Sequence, residues 1–292
     1  MEAAIRIEGL VKNYEKFSLD HINLEIPKGS IVGLVGANGA GKTTLIKCIL
    51  GIIKRDAGEI YVDGEKLEEK NDNWKNQVGM VLAEANFHET MNAVQIGRIM
   101  ENIFSQWDAG LYETYLNDFK LEHKKLIKDY SRGMKMKLQI AVALSHRAKI
   151  LIFDEATSGL DPLVRDDLLD ILLEYIQDEA HTVLLSSHII SDLEKVSDYI
   201  AFIQNGRLLF VENKDEILYR YGVGKCSKED YSTLDKEGIL RLKRGVLGYE
   251  FLVQDRQAFM RRYPDMVVDA PDIEDVLLLL EKGEVVSPKG LY

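Results

Sequence analysis

Apolar residues in this chain gather into short unbroken runs set between longer, periodically polar stretches. Ile31-Val32-Gly33-Leu34-Val35, Val78-Gly79-Met80-Val81-Leu82, Ile150-Leu151-Ile152-Phe153 and Thr182-Val183-Leu184-Leu185-Ser186 are such runs. Runs of this length, apolar on both sides, predict strands of a parallel sheet covered on both faces. Helices are predicted between them: Thr44 to Leu50 stopped by Gly51, most of residues 91 to 146, and 162 to 177. In the second, Met91, Val94, Ile99, Ile103 and Phe104 recur at helical spacing and are expected to be mostly core. Alternation of strand and helix through residues 30–200 predicts an α/β fold with a mainly parallel sheet.

The flanks read differently. Ile5, Ile7 and Leu10, then the alternating Leu19 to Ile26, predict strands, with the turn Pro27-Lys28-Gly29 before the strand that begins at Ile31. Glu59 to Val62 is a further short strand ended by Asp63-Gly64. Asp161-Pro162 suits a helix start, with Asp as cap and Pro at the first helical position. Tyr199 to Ile203 and Arg207 to Val211 form a hairpin about Asn205-Gly206.

After about residue 213 the texture changes. A short helix to Tyr221 gives way to Gly222-Val223-Gly224, read as a loosening of the chain. Strands at Ile239 to Lys243, Gly248 to Val253 and Met266 to Val268, with helices at Arg256 to Tyr263 and Asp272 to Leu280, predict a small α+β appendage. The expected division is 1–213, with a helical subdomain at about 85–146, and 214–292.

The net charge of −11 argues against a general nucleic-acid binder, which needs Lys and Arg on phosphates. No apolar run approaches the roughly 20 residues of a membrane helix. Residues 1–6 lack a signal peptide's basic start and apolar centre, so a cytoplasmic location is expected. Cys48 and Cys226 have no metal-ligand spacing.

The chemistry begins at Gly36-Ala37-Asn38-Gly39-Ala40-Gly41-Lys42-Thr43, followed by Thr44. Strand, glycine-rich loop and helix carry the pattern GxxxxGKS/T, a P-loop in its proper context. Glycines let the backbone turn tightly against a phosphate. Its N–H groups and the helix N-terminus then face the oxygens. Lys42 would reach the β- and γ-phosphates of ATP and Thr43 would ligate Mg2+. Phosphoryl transfer also needs a metal carboxylate and a group to orient water. Asp154 ends an apolar strand, where the first belongs. Glu155 follows, placed as general base.

Further motifs carry a resemblance. Ser131-Arg132-Gly133-Met134-Lys135 resembles the signature usually written LSGGQ, Ser158-Gly159-Leu160-Asp161 the D-loop, and Ser187-His188 the H-loop. In order and spacing, residues 1 to about 213 resemble the ATP-binding subunit of ABC transporters. The resemblance implies a P-loop NTPase core of ABC type, with a mainly parallel sheet, an antiparallel N-terminal β subdomain and a helical subdomain, and it implies ATP hydrolysis. Tyr14, alone an ordinary loop aromatic, would stack on adenine. His188 would contact the γ-phosphate. Ser131 and Gly133 would bind ATP held by another subunit, and Asp161 would link the two sites. ATP would therefore clamp two copies, or this chain and a paralogue, head to tail. Opening and closing would drive a membrane permease through residues 85–146, with the chain peripheral on the inner membrane face.

Two departures stand out. Ala83-Glu84 occupies the place of the usual Q-loop glutamine; Ala83 cannot ligate Mg2+, and with the loop shifted by one residue Glu84 is the candidate ligand of the metal or of water. The signature has Tyr130, Arg132 and Met134 where Leu, Gly and Gln are usual. Arg132 is either a charge near the phosphate or a solvated helix start. With the appendage, these variants resemble the ABC-2 type branch of drug and peptide-antibiotic exporters. Competing readings are a non-transport ABC-type ATPase and a regulatory module that holds ATP without turnover. The first would carry a coiled-coil insertion, zinc cysteines or tandem ATPase halves. Glu155 and His188 speak against the second.

Overall fold

A computed structural model of the chain describes residues 2–68, 73–83, 87–246 and 248–286. Strands β1 (Ala3–Asn13) and β2 (Ser18–Pro27) pair antiparallel, and β3 (Ile31–Val35) follows the turn at Gly29. After α1 (Lys42–Ile49) come β4 (Ala57–Val62) and β5 (Glu65–Lys66), completing a sheet in the order β2-β1-β4-β5. This is the expected antiparallel subdomain. Its inner face, with Ile5, Ile7, Leu24, Ile26 and Ile60 all buried, packs with α1 and one face of the main sheet.

The main sheet is built from β6 (Val78–Leu82), β7 (Ile150–Asp154), β8 (Thr182–Ser186), β9 (Tyr199–Gln204) and β10 (Arg207–Asn213) together with β3. Its order is β10-β9-β3-β8-β7-β6, parallel except for the β9–β10 hairpin. That hairpin turns through Asn205 and Gly206, at φ 50° and 77°, the left-handed pair that a two-residue connection of matching twist requires. Strands β3, β7 and β8 are buried at every position, as their unbroken apolar runs require.

Between β6 and β7 lie α2 (Ala93–Ile103), α3 (Ala109–Asp118) and α4 (Arg132–Ser145). Asn92 and Gln95 cap α2 reciprocally, each side chain accepting the other's backbone N–H at 3.0 Å. The face of α2 differs from the expected one. Ala93, Ile96 and Gly97 are buried, whereas Val94, Ile99 and Ile103 are exposed. The reason is local: a Cβ on Gly97 would lie 2.6 Å from the Tyr112 ring, so the bare side of α2 receives α3.

Helices α5 (Pro162–Tyr175) and α6 (Ile190–Val196) cover the other face of the sheet. Asp161 stands at the α5 cap position, but its side chain makes no capping hydrogen bond; Pro162 alone fixes the entry.

Beyond α7 (Lys214–Arg220), residues 222–226 are the strand β11 (Gly222–Cys226), not a loosened segment. Its glycines answer to packing, since a Cβ on Gly224 would fall 2.2 Å from the Phe251 ring. α8 (Lys228–Thr233), β12 (Ile239–Arg244), β13 (Tyr249–Val253), α9 (Arg256–Arg262), β14 (Val268–Asp269), α10 (Ile273–Lys282) and β15 (Glu284–Val285) follow. The strands form an antiparallel sheet ordered β14-β11-β13-β12-β15, the expected α+β appendage. Its far side has a small core around Phe251 and Phe259. Its near side does not close on itself: Val276, Leu280 and Leu252 join Leu193 and Val196 of α6 in one continuous core. Glu194 Oε1 accepts the Ile273 N–H at 2.7 Å, so α6 supplies a cap for α10.

Candidate active site

Strands β3, β8 and β7 are neighbours, and all three deliver functional residues from their carboxyl ends, where open parallel sheets bind ligands. β3 leads into the loop of residues 36–41, β7 ends at Asp154-Glu155, and β8 leads into Ser187-His188. The loop can form only with glycine at its critical points. A Cβ on Gly36 would lie 2.2 Å from the Ile203 carbonyl oxygen. Gly41 takes φ +115°, and a Cβ there would press between Leu19 and Phe17.

The loop closes over Lys42. Its ammonium, nearly buried, donates to the Gly36 carbonyl at 2.7 Å and lies 3.2 Å from Glu155 Oε1. The other oxygen of Glu155, Oε2, meets His188 Nδ1 at 2.5 Å. Glu155 itself sits at φ +52°, a left-handed conformation that a side chain strains, held by its N–H to the Ser186 carbonyl at 3.0 Å. Burial pushes the Glu155 carboxyl up, but the His188 hydrogen bond and the Lys42 charge outweigh it, so its pKa falls below the usual glutamate value. The carboxylate is therefore ionised at neutral pH and available as a proton acceptor.

Asp154 lies one layer deeper. Thr43 Oγ1 donates to its Oδ1 at 3.1 Å. Burial, helped by the neighbouring Glu155 charge, raises its pKa against that hydrogen bond. A buried anion without a cation against it is costly. The Thr43 hydroxyl and Asp154 are hard oxygen donors fit for Mg2+, which would offset the cost. Glu84, the candidate metal or water ligand, lies outside the described residues.

A cleft of about 680 Å³ opens over these groups. Asn38, Gly39, Gly41, Lys42, Thr43, Thr44, Glu155 and His188 line it, with Ala83 from the end of β6. Such a cleft, with a backbone cradle, a buried lysine and a helix N-terminus free of acidic residues, suits a polyphosphate.

The sequence profile of the family described as "ABC transporter" matches residues 19–158. The lantibiotic transport ATP-binding protein SrtF of Streptococcus pyogenes is 31% identical over 214 residues, 72% of this chain and 91% of that protein. The chain belongs to the ABC transporter family. The bacitracin transport ATP-binding protein BcrA of Bacillus licheniformis is 34% identical over 212 residues, 72% of this chain and 69% of that one. A solved ATP-binding subunit of an ABC transporter superposes with a TM-score of 0.67 at 27% identity, covering 73% of this chain and 91% of that one. This chain is thus an ABC ATP-binding subunit, an ATPase that energises a membrane permease. No helix among the described residues is long and apolar enough to cross a membrane.

Not every residue expected at the ABC site lines the cleft. Gly36 and Ala40 are buried in the floor of the loop. Tyr14 stands outside, half exposed, with the Lys12 ammonium 5.5 Å from its ring centre. The cause is the turn between β1 and β2. The Tyr14 N–H donates to the Phe17 carbonyl at 2.8 Å, and Phe17 is the aromatic that reaches the cleft, beside Gly41. Phe17 and Lys16 line it unforeseen, as do Ser158 of the D-loop-like segment and Arg132, for which a charge near the phosphate and a solvated helix start had both stood open. Phe17 was legible only as an apolar residue on a short hairpin loop, a weaker signal than a tyrosine. Ser131, Gly133 and Asp161 do not line it. Ser131 caps α4, its Oγ accepting the Met134 N–H at 3.2 Å, and remains exposed, as does Asp161.

Proposed function

We propose that the chain hydrolyses Mg-ATP between two ATPase subunits and thereby drives a permease that exports a peptide-antibiotic or drug-like cargo. In this reading residues 1–213 are the motor and 214–292 an accessory unit. The observation that carries the chemistry is the Lys42–Glu155–His188 cluster under the P-loop, with Thr43 against Asp154. Lys42 holds the outer phosphates. Glu155, ionised, accepts the proton of the attacking water. His188 fixes the Glu155 carboxylate and faces the γ-phosphate. Mg2+, held by Thr43 and Asp154, would neutralise charge on the phosphates. Stacking on adenine falls to Phe17, in place of Tyr14.

The second subunit is inferred from exposure. Ser131 and Asp161 are exposed, Gly133 is half-buried, and none of the three lines its own cleft, which leaves them available to a neighbour's. The permease site is inferred from an apolar groove of about 510 Å³ between β6, α2 and α4, walled by Ile52, Met80, Phe87, Met100, Ile103 and Phe104. Ile52, Met80 and Ile103 are half exposed or more. An exposed apolar groove of this kind suits a short helix of a partner. The export direction and cargo rest on the named roles of SrtF and BcrA.

Equilibrium dialysis with ATP tests the reading. Wild-type chain binds ATP, and Lys42→Ala abolishes binding; unchanged binding by that variant would remove the assignment. Co-purification from native membranes tests the permease, and a soluble nucleoprotein partner in its place would reverse the transport reading.

A further inference from the structure

We propose, on the reading of Glu155 as proton acceptor, that Asp192 is a positioning residue for hydrolysis: it ties the two loops that carry Glu155 and His188 to Arg165 at the start of α5. Asp192 lies on α6, one turn beyond His188, and is only 3% exposed. Its Oδ1 stands 3.5 Å from Arg165 Nε. Beside it, the Thr157 hydroxyl meets the Ser187 hydroxyl at 3.2 Å, both side chains fully buried. Thr157 closely follows Glu155, and Ser187 immediately precedes His188. Arg165 belongs to the first turn of α5, its N–H donating to the Asp161 carbonyl at 3.0 Å. The carboxylate is thus the joint where three segments meet.

Stability does not explain this joint. A buried carboxylate is costly unless a cation and hydrogen bonds satisfy it. Here the arginine faces one oxygen only, and Oδ2 has no hydrogen-bond partner among the described residues. Burial accordingly raises the Asp192 pKa, against the pull of the Thr157 hydroxyl and the Arg165 charge. Nor is the pair needed to dock α6 on α5. Lys195 already bridges the two helices to Asp166 and Asp170, and Leu168, Leu172 and Leu193 share one core. What the pair adds is a fixed relation between the Glu155 and His188 loops, whose side chains must meet at Oε2 and Nδ1. A small misplacement there costs turnover and spares ATP binding, because the phosphates are held by the P-loop.

The test is steady-state hydrolysis by the full chain, with equilibrium dialysis of a non-hydrolysable ATP analogue for affinity. Asp192→Asn lowers kcat roughly tenfold and changes KM and affinity by less than about twofold. Arg165→Gln does the same, and Arg165→Lys, which keeps the charge, restores most of the rate. In a His188→Ala background Asp192→Asn costs less than about twofold, because its effect runs through a pair already broken. Equal losses in the two backgrounds would mean a purely structural carboxylate and would overturn the inference, as would an unchanged kcat. Should Asp192→Asn fail to fold, Arg165→Gln at the partly exposed end of the pair decides, and a kcat within about twofold of wild type overturns the inference. If Glu155→Gln hydrolyses ATP at the wild-type rate, the proton-acceptor reading fails and the inference with it. If Glu155→Gln stops hydrolysis and Asp192→Asn leaves it untouched, only the inference fails.

Discussion

Glu155 and His188 face each other across the ends of β7 and β8, Oε2 to Nδ1 at 2.5 Å, while the other carboxylate oxygen faces Lys42 at 3.2 Å. Glu155, the proposed proton acceptor, is therefore held from two sides. That alignment requires Glu155 to hold a left-handed backbone, a strain that the surrounding bonds must sustain.

Removing the acceptor's charge while keeping its shape separates binding from cleavage. Glu155→Gln retains ATP binding and loses hydrolysis by roughly a hundredfold or more. It also accumulates an ATP-bound dimer. Phosphate release and sedimentation at saturating ATP check both, and a single-chain species under those conditions would count against the two-subunit site.

Asp154 makes an opposite prediction for stability and for turnover. Its folded-state pKa is raised above the ordinary 3.8, so ionisation opposes folding. The penalty is complete above the raised value and disappears below the ordinary one. Asp154→Asn, which can still accept from Thr43, melts roughly 2 °C higher at neutral pH without nucleotide. The gain shrinks as the pH is lowered toward 4. Turnover falls at least tenfold, as expected for a lost metal carboxylate. Melting curves from pH 4 to 8 and phosphate release report the two effects.

The groove of β6, α2 and α4 predicts a surface phenotype. Met80→Glu and Ile103→Glu alter residues 50% and 60% exposed, so each changes stability by less than about 0.5 kcal/mol. ATP binding by the isolated chain is unaltered. Recovery of a membrane partner on tagged protein is lost, and undiminished recovery would place the partner elsewhere.

Glu194→Ala removes the acceptor that α6 offers to the first turn of α10. Loss of such a cap costs about 1 kcal/mol. Hydrogen exchange should quicken roughly tenfold in the first turn of α10, with exchange in β3 and β7 unchanged; uniform loss of protection across the chain would contradict a local role.

Much of the site was legible because its chemistry is local. A P-loop is eight consecutive residues, and Asp154-Glu155 ends an apolar run that could only be a buried strand. What was illegible depends on contacts between distant residues. Whether Tyr14 or Phe17 turns inward is decided by a hydrogen bond closing the β1–β2 turn. Gly222 and Gly224 suggested slackness, but they admit Val268 and Phe251 into a packed sheet. On α2, periodicity found the large apolar residues, while the buried seam was chosen by the fit of Gly97 to Tyr112.

The apolar seam that runs from Leu193 and Val196 through Val276 and Leu280 to Leu252 has a practical corollary. A truncated ATPase ending after β10 would carry a raw greasy scar where α10 had been, and would tend to clump. Domain-exchange chimeras between related transporters should therefore place their junction so that α6 and α10 travel together, or redesign both faces at once.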